Sequence, residues 1–176
     1  MGKVDLQTKS KRIRLVLLDV DGVLTDGRII LDERGAETKF FYAQDGSGIK
    51  YLLRSGLKCA FISGRKSAVV LARAEELGIE DCYQDAKDKI VAYEKILQEF
   101  GLKDEEVAYV ADDLIDLPLL RRVGLPVAVA DAAEEVKQAS IYVTTRPGGR
   151  GAVREVIQLI LKAQGKWEKI LLRYKS

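Results

Sequence analysis

The stretch Ile13-Arg14-Leu15-Val16-Leu17-Leu18, followed at once by Asp19-Val20-Asp21-Gly22, decides the fold. A short apolar run of this kind predicts a strand buried on both faces, as in a parallel sheet. Side chains two positions apart in an extended chain point the same way, so Asp19 and Asp21 are expected to converge. Two close carboxylates repel each other unless a cation lies between them, and Mg²⁺ prefers oxygen ligands. The pattern is also consistent with a strand that ends in an Asx turn.

Composition narrows the class of protein. The chain has 176 residues, 47% of them hydrophobic and 32% charged, with a formal net charge of +2. This balance predicts a globular protein with no nucleic-acid partner, and no apolar run approaches the roughly 20 residues of a membrane-spanning helix. The basic segment 1–14 has no apolar stretch before the first strand, so we expect no secretory signal and a cytoplasmic protein. Without histidine, catalysis must rest on carboxylates, lysines, arginines, hydroxyls or thiols.

Strands and helices alternate after a predicted hairpin at 28–41, with a turn at Asp32-Glu33-Arg34-Gly35. The predicted strands are 13–18, 58–62, 82–83, 107–111, 126–130 and 141–143. The predicted helices are 46–55 (capped by Asp45), 67–77, 85 or 88 to 100, 114–123, 133–139 and 152–164. The alternation implies a doubly wound, Rossmann-like parallel sheet of the α/β class, with residues 1–176 as a single domain.

Polar groups follow three of the predicted strands: Asp19/Asp21, Ser63-Gly64-Arg65 and Asp112-Asp113. Ligands of open α/β sheets collect at the carboxyl ends of the strands, so these groups are candidates for one site. Each has a plainer interpretation. Ser63-Gly64 is consistent with a simple strand end, and Asp112-Asp113 with a helix cap.

These positions resemble the signatures of the haloacid dehalogenase superfamily of phosphatases. The first signature is similar to Asp19-Val20-Asp21-Gly22-Val23-Leu24-Thr25, and the second to Ser63 in Phe61-Ile62-Ser63-Gly64-Arg65. The third is similar to Lys89, otherwise one more helix lysine, and the fourth to Asp112-Asp113. Ala111 departs from the pattern, because related sequences usually have glycine there.

The resemblance implies roles for four residues in phosphoryl transfer. Asp19 is expected to be the nucleophile, and Asp21 the acid that protonates the leaving oxygen and later activates water. Ser63 is expected to donate a hydrogen bond to the transferring group, and Lys89 to neutralise its charge.

The same resemblance implies a Mg²⁺ cofactor. The expected ligands are Asp19, the backbone carbonyl of Asp21 and Asp112, with Asp113 orienting this set of ligands.

The spacing between motifs leaves no room for the cap domain of larger members. Only 42 positions separate Asp21 from Ser63 (63 − 21), and 26 separate Ser63 from Lys89 (89 − 63). The chain is therefore similar to the small capless branch, whose hairpins assemble a tetramer with subunits that complete one another's sites. This implies an oligomerising hairpin at 28–41 and a C-terminal tail at 144–176. Arg146-Pro147-Gly148-Gly149-Arg150-Gly151 in that tail is expected to reach an active site.

A finer resemblance is to the branch members that hydrolyse an eight-carbon sugar-acid phosphate in lipopolysaccharide precursor synthesis. It covers 19–27, 41–50, 63–65, 112–118 and 146–151. The implied substrate-binding residues are Asp21, Tyr42, Ala43, Gln44, Asp45, Gly46, Lys50, Arg65, Arg73 and Lys89. Residues alone leave a plainer interpretation, in which Gly46 and Gly48 open a helix and Arg73 is exposed to solvent.

The sequence leaves three alternative functions open. A nine-carbon sugar-acid phosphate of the sialic acid type has a similar charge and is separated poorly by sequence. A non-catalytic assembly module is possible for this fold. Finally, Cys59 and Arg65 have the Cys-x₅-Arg spacing of thiol phosphatases, although Cys59 lies in a predicted buried strand.

Overall fold

A six-stranded parallel sheet with the strand order β5-β4-β1-β6-β7-β8 forms the centre of the structure, a computed structural model that describes residues 3–174. The strands are β1 (Leu15–Leu18), β2 (Ile30–Leu31), β3 (Glu37–Thr38), β4 (Lys58–Ile62), β5 (Cys82–Tyr83), β6 (Val107–Ala111), β7 (Leu125–Ala128) and β8 (Tyr142–Val143). β2 and β3 form the separate antiparallel hairpin. The predicted α/β class, parallel sheet and hairpin are confirmed.

The helices are α1 (Lys3–Arg12), α2 (Ala43–Arg54), α3 (Ala68–Leu77), α4 (Lys89–Phe100), α5 (Leu117–Leu120), α6 (Glu134–Ala139), α7 (Ala152–Ala163) and α8 (Trp167–Leu172). α1, α2 and α7 pack together in one group, and α4, α5 and α6 in another. Both groups contact the sheet, and all four residues of β1 are fully buried. No helix within 3–174 is long and apolar enough to cross a membrane.

Local signals set most helix boundaries. Ser67 and Asp88 accept backbone hydrogen bonds at the starts of α3 and α4, and Gly78 and Gly101 end these helices with φ angles of 78° and 60°. Only glycine adopts such angles readily. The boundary near 85–88 is thereby settled in favour of Asp88.

Two helical regions differ from the predictions. The expected helix 114–123 is a 3₁₀ turn, Leu114–Asp116, followed by the short α5, because Asp116 turns inward and accepts a hydrogen bond from the Asp113 N–H. α1 was not predicted, since its sequence is polar and gives no apolar period. Long-range contacts hold it, including the hydrogen bond from Lys9 Nζ to the Gly124 carbonyl.

The start of α2 corrects the interpretation of Asp45. The helix begins at Ala43, and Asp45 lies within its first turn with 1% exposure. Its carboxylate accepts hydrogen bonds from the N–H groups of Gly151 (3.1 Å) and Arg154 (2.7 Å), and so it caps α7 instead of α2. Burial raises the pKa of Asp45, and these two donors oppose the shift. The segment 144–176, predicted as a C-terminal tail, therefore contains the core helix α7.

Replacing Asp45 with alanine should destabilise the protein by about 2 kcal/mol, since two N–H groups at the start of α7 would lose their acceptor. Urea unfolding measures the change. The matched control is Ser47→Ala on the exposed side of the same helix, expected to change stability by less than about 0.5 kcal/mol. Equal stabilities of the two variants would contradict the cap.

Candidate active site

Three adjacent strands bring the predicted polar groups to one edge of the sheet. Leu18 pairs with Phe61 of β4 and with Val110 of β6, so Asp19, Ser63 and Asp112 follow the carboxyl ends of neighbouring strands. Asp19 is 7% exposed and Ser63 is 4% exposed. The sequence interpretation of these three as one group is therefore matched by the geometry.

Lys89 lies at the centre of this edge. Its Nζ is 2.5 Å from Asp19 Oδ1 and 2.6 Å from Asp116 Oδ1, and it donates to the hydroxyl of Tyr109 at 3.1 Å. The Asp88 cap starts α4 at Lys89 and so fixes where the ammonium can reach. Burial lowers the pKa of Lys89, but Asp19 and Asp116 outweigh this and raise it. The side chain is therefore a permanent positive charge.

The carboxylates outnumber this one cation. Oxygens of Asp19, Asp112 and Asp116 all lie within 4.8 Å of one another. Within residues 3–174, Lys89 is the only cation in ion-pair contact with them, so the cluster would carry a net charge of −2 with all three carboxylates ionised. Burial first, and then Asp19 and Asp116, raise the pKa of Asp112 to about 8. Burial, with Asp116 adding to it and Lys89 opposing it, raises the pKa of Asp19 to about 7.

The surroundings of the Asp112 carboxylate indicate whether this cluster fits a metal ion. Its Oδ1 is buried and has no hydrogen-bond partner among the described residues. The carboxylate lies against Gly22 (φ 87°), where any Cβ would overlap it. A buried oxygen without a partner, among carboxylates with excess negative charge, fits a hard divalent cation.

Asp113 and Asp116 have different surroundings, and only Asp113 was a predicted site residue. Asp113 is exposed, and its carboxylate accepts from the Leu114 N–H at 2.8 Å. Asp116 is fully buried and contacts both Lys89 and the Tyr109 hydroxyl. Sequence reasoning missed Asp116 and Tyr109. The available signal was the spacing of four between Asp112 and Asp116, which places both carboxylates after one strand.

Asp21 has a different set of partners from Asp19. Its carboxylate pairs with Lys39 Nζ, and Arg65 Nε lies 4.0 Å away. The chain leaves β1 and folds back on itself, with the N–H groups of 23–25 all donating to the Val20 carbonyl. Asp19 and Asp21 therefore have separate ion-pair partners at this edge of the sheet, and their convergence on one ligand stays a prediction.

The hairpin supplies two residues that sequence reasoning missed. Glu37 on β3 accepts from Arg65 at 3.1 Å and from Ser67, and it lies 3.1 Å from Lys39 Nζ. The side chain of Lys39 is 1% exposed. The hairpin therefore packs over Asp21 and Arg65, a tertiary contact that no local pattern indicates.

The remaining predicted substrate residues divide into two places. Gln44 and Tyr42, with Ala43 between them, stand at the start of α2, where Gln44 Oε1 accepts from Arg146 at 3.3 Å. Arg73 pairs with Glu76 at 2.6 Å beside Lys50.

A Cβ at Gly46 would collide with the Arg73 guanidinium, so Gly46 allows α2 and α3 to pack closely. In the described part of the chain, no hydrogen bond or ion pair joins Lys50 or Arg73 to Asp19, Asp112 or Asp116.

The glycine-rich segment 146–151 packs on the chain's own loop after Asp21. Gly149 N donates to the Val23 carbonyl at 2.9 Å, and Gly148 N donates to Asp131 at 2.8 Å. A Cβ at Gly148 would overlap the Gly22 carbonyl. The segment thus reaches this edge of the sheet within one subunit and supports the loop that faces Asp112.

The thiol-phosphatase interpretation fails at Cys59. The residue is 3% exposed within β4, and burial, with a smaller effect from Asp81, raises the pKa of its thiol far above the ordinary value. A buried, protonated thiol is not a nucleophile. The cysteine-to-arginine spacing is accidental.

A buried lysine among strand-end aspartates defines a phosphoryl-transfer type of site, and comparison with known proteins agrees. The family model described as haloacid dehalogenase-like hydrolase matches residues 79–157. The 3-deoxy-D-manno-octulosonate 8-phosphate phosphatase of Salmonella typhi is 48% identical over 164 residues, which cover 93% of this chain and 87% of that protein.

Two solved structures are similar over nearly the whole chain. A probable phosphatase of the YrbI family from Pseudomonas syringae pv. phaseolica has a TM-score of 0.97 and 49% identity, covering 99% of both chains. The 3-deoxy-D-manno-octulosonate 8-phosphate phosphatase of Moraxella catarrhalis, solved with magnesium, phosphate and the sugar acid, has a TM-score of 0.96 and 42% identity. It covers 99% of this chain and 100% of that one. The chain belongs to the haloacid dehalogenase-like hydrolases, in the family of the 3-deoxy-D-manno-octulosonate 8-phosphate phosphatases.

Adding Mg²⁺ to the metal-free protein should raise the thermal unfolding temperature by about 5 °C at saturating metal, since the cation binds the folded carboxylate cluster. Differential scanning fluorimetry with Mg²⁺ or EDTA measures the shift. Asp112→Asn should lose most of it. The matched control Asp113→Asn should keep it, and the reverse ranking of the two variants would contradict the assignment.

Proposed function

We propose that this chain is a Mg²⁺-dependent phosphatase that hydrolyses 3-deoxy-D-manno-octulosonate 8-phosphate to the free sugar acid and phosphate, in lipopolysaccharide precursor synthesis. The observation that carries the proposal is the buried Lys89 between Asp19 and Asp116, with the unpartnered oxygen of Asp112 beside them. The similarity to named phosphatases of this substrate over more than nine-tenths of the chain supports it.

The residues that would hold Mg²⁺ are Asp19 and Asp112, with the backbone carbonyl of Asp21 as predicted from the sequence. Asp116 lies within the same cluster, and its contacts with Lys89 and Tyr109 suit it to orient the lysine. Bound metal would offset the repulsion between the nucleophilic carboxylate and the phosphate dianion.

Asp19 is the proposed nucleophile. Its carboxylate oxygen attacks phosphorus, forming an aspartyl phosphate, while the bond from phosphorus to the C8 oxygen of the sugar breaks. Asp21 donates a proton to that leaving oxygen, which departs as an alcohol. Asp21 then takes a proton from a water molecule that attacks phosphorus, which releases phosphate and regenerates Asp19.

Lys89 and Ser63 stabilise the charge on the transferring group in this scheme. Lys89 is fixed by two carboxylates and a hydroxyl, so its charge needs no reorganisation as the reaction proceeds. Ser63 is held by β4 at the same edge, and its Oγ accepts from the Arg65 N–H at 3.2 Å.

Arg65 is the first residue that we propose for binding the sugar acid. Its side chain is 44% exposed, pairs with Glu37 of the hairpin at 3.1 Å, and lies 4.0 Å from the Asp21 carboxylate. A guanidinium in this position can bind the carboxylate of the sugar acid. The other residues proposed for this role are Tyr42, Ala43, Gln44, Asp45, Gly46, Lys50 and Arg73, of which Asp45 and Gly46 also make packing contacts.

Phosphate release should show a Mg²⁺-dependent preference for 3-deoxy-D-manno-octulosonate 8-phosphate over a nine-carbon sugar-acid 9-phosphate. EDTA should abolish release, and Asp19→Asn should reduce it by at least about 10³-fold, because the nucleophile is removed. The matched control Asp113→Asn changes an exposed carboxylate nearby and should retain most activity.

Other outcomes would select the alternative functions. Faster release from the nine-carbon ester would identify that ester as the substrate. No metal-dependent release from either ester would favour the non-catalytic assembly module.

We further propose that residues 28–41 assemble a cytoplasmic homotetramer whose subunits complete one another's sites, with 1–176 as one domain. Three large apolar side chains stand exposed on and beside the hairpin: Ile29 (46%), Leu31 (58%) and Phe40 (61%). Grouped exposed apolar side chains are typical of an interaction surface. A charged phosphorylated substrate does not cross a lipid bilayer unaided, which favours the compartment where it is made.

Leu31→Glu should convert the tetramer into smaller species, because it places a charge in the proposed apolar contact. Light scattering coupled to size-exclusion chromatography measures the mass. Val91→Glu, at another exposed apolar side chain (65%), should leave the mass unchanged. A monomeric wild type, or equal behaviour of both variants, would contradict the assembly.

A further inference from the structure

We propose that a second cavity, between the end of α2 and α8, binds a small molecule that carries a diphosphate group. The cavity has a volume of ≈ 430 Å³ and its walls include Tyr51, Arg54, Lys166, Lys169, Arg173 and Tyr174. This volume lies in the range of small-ligand sites, about 300–1,000 Å³. Four of these six side chains are cationic, and we refer to the cavity as the basic pocket.

The four cations have no acidic partners within residues 3–174. Unpaired cations such as Lys103 and Lys137 also lie elsewhere on the described surface, whereas these four line one cavity. None of the ion pairs includes Arg54, Lys166, Lys169 or Arg173. Cations gathered without counter-charge around one concavity repel one another, and a bound anion relieves this repulsion.

Helix dipoles explain only part of this charge. Arg54 lies in the last turn of α2, where a positive charge is favourable. Lys166 lies between two helices: it directly precedes the six-residue α8, but its N–H also donates to the Leu161 carbonyl at the carboxyl end of α7, where a cation is favourable. Lys169 lies within α8, so the helix ends do not account for all four cations.

Aromatic packing holds the tyrosine wall of the basic pocket. The Arg154 guanidinium lies 4.7 and 5.1 Å from the ring centroids of Tyr51 and Trp167. Tyr51 makes edge-to-face contacts with Trp167 and Tyr174, each at 6.1 Å. This wall therefore loses little conformational entropy when a ligand binds, and the cationic side chains supply the charge.

The basic pocket is distinct from the catalytic site. Arg54 ends α2, and the 12 residues of this helix span about 18 Å from the end near Gln44. The chain then enters β4 at its amino end, whereas Asp19 and Asp112 follow the carboxyl ends of their strands. A ligand in the basic pocket therefore lies at the opposite edge of the sheet.

A diphosphate matches the pocket because it presents two adjacent anionic groups to several cations. Inorganic pyrophosphate and a nucleoside diphosphate share this chemistry. The tyrosine rings add a surface on which a base could stack, which would make the nucleotide the tighter ligand.

Isothermal titration of the metal-free chain in EDTA, at fixed salt, tests the proposal with pyrophosphate as the probe. Wild type should bind one pyrophosphate per chain, and Lys166→Gln/Lys169→Gln should weaken binding at least about tenfold. The matched double variant Lys103→Gln/Lys137→Gln removes the same charge elsewhere on the surface and should bind like wild type. Inorganic phosphate should bind more weakly than pyrophosphate, and ADP at least as tightly.

Three results would overturn the proposal. They are the absence of saturable binding, equal weakening in both double variants, and loss of binding in Arg65→Gln, which would place the anion at the catalytic site. Because the titration needs neither metal nor turnover, it is independent of the proposed phosphatase activity, which the variants of the basic pocket should retain.

Discussion

The ammonium of Lys89 is the constraint on which the rest of the site depends. It is buried among Asp19, Asp116 and the Tyr109 hydroxyl, at 2.5, 2.6 and 3.1 Å. Buried charges are tolerated only when they are paired, and removing one member of such a pair typically costs about 3–5 kcal/mol. The Asp88 cap makes Lys89 the first residue of α4. This local helix signal therefore determines where the positive charge of the site lies.

Two loops complete the arrangement by packing on each other. The loop after Asp21 lies under Asp112 at Gly22, where no side chain fits, and the glycine-rich segment 146–151 supports it from behind. Asp45 anchors the beginning of the helix that follows this segment. The catalytic residues therefore lie on strand ends and on loops whose backbones pack closely together. This arrangement holds their charged groups in place before the substrate binds.

The sequence predicted what local patterns determine. β1, β4 and β6 are short apolar runs, the glycines at 78 and 101 end helices, and Asp19, Ser63 and Asp112 follow strands. Partners fixed by tertiary contacts were not predictable in this way. Asp116 and Lys39 look like ordinary surface charges in sequence, and only the fold brings them to Lys89 and Asp21.

α1 and Asp45 illustrate the same limit. α1 has no apolar period and depends on long-range hydrogen bonds, and Asp45 looked like a cap for its own helix although it caps α7. The resemblance supplied roles for Asp19, Asp21, Asp112 and Asp113 but none for Asp116. Asp113 is exposed, and Asp116 takes the buried position beside the lysine.

The account depends most on Asp19 as the residue that receives the phosphoryl group. Rapid acid quenching of the Mg²⁺-loaded protein with substrate, followed by peptide mass spectrometry, tests this directly. We expect the mass of one phosphoryl group on the peptide that contains Asp19, and on that residue when the peptide is fragmented. A phosphoryl group on Asp21, Asp112 or Asp116, or rapid phosphate release with no phosphorylated aspartate, would contradict the account.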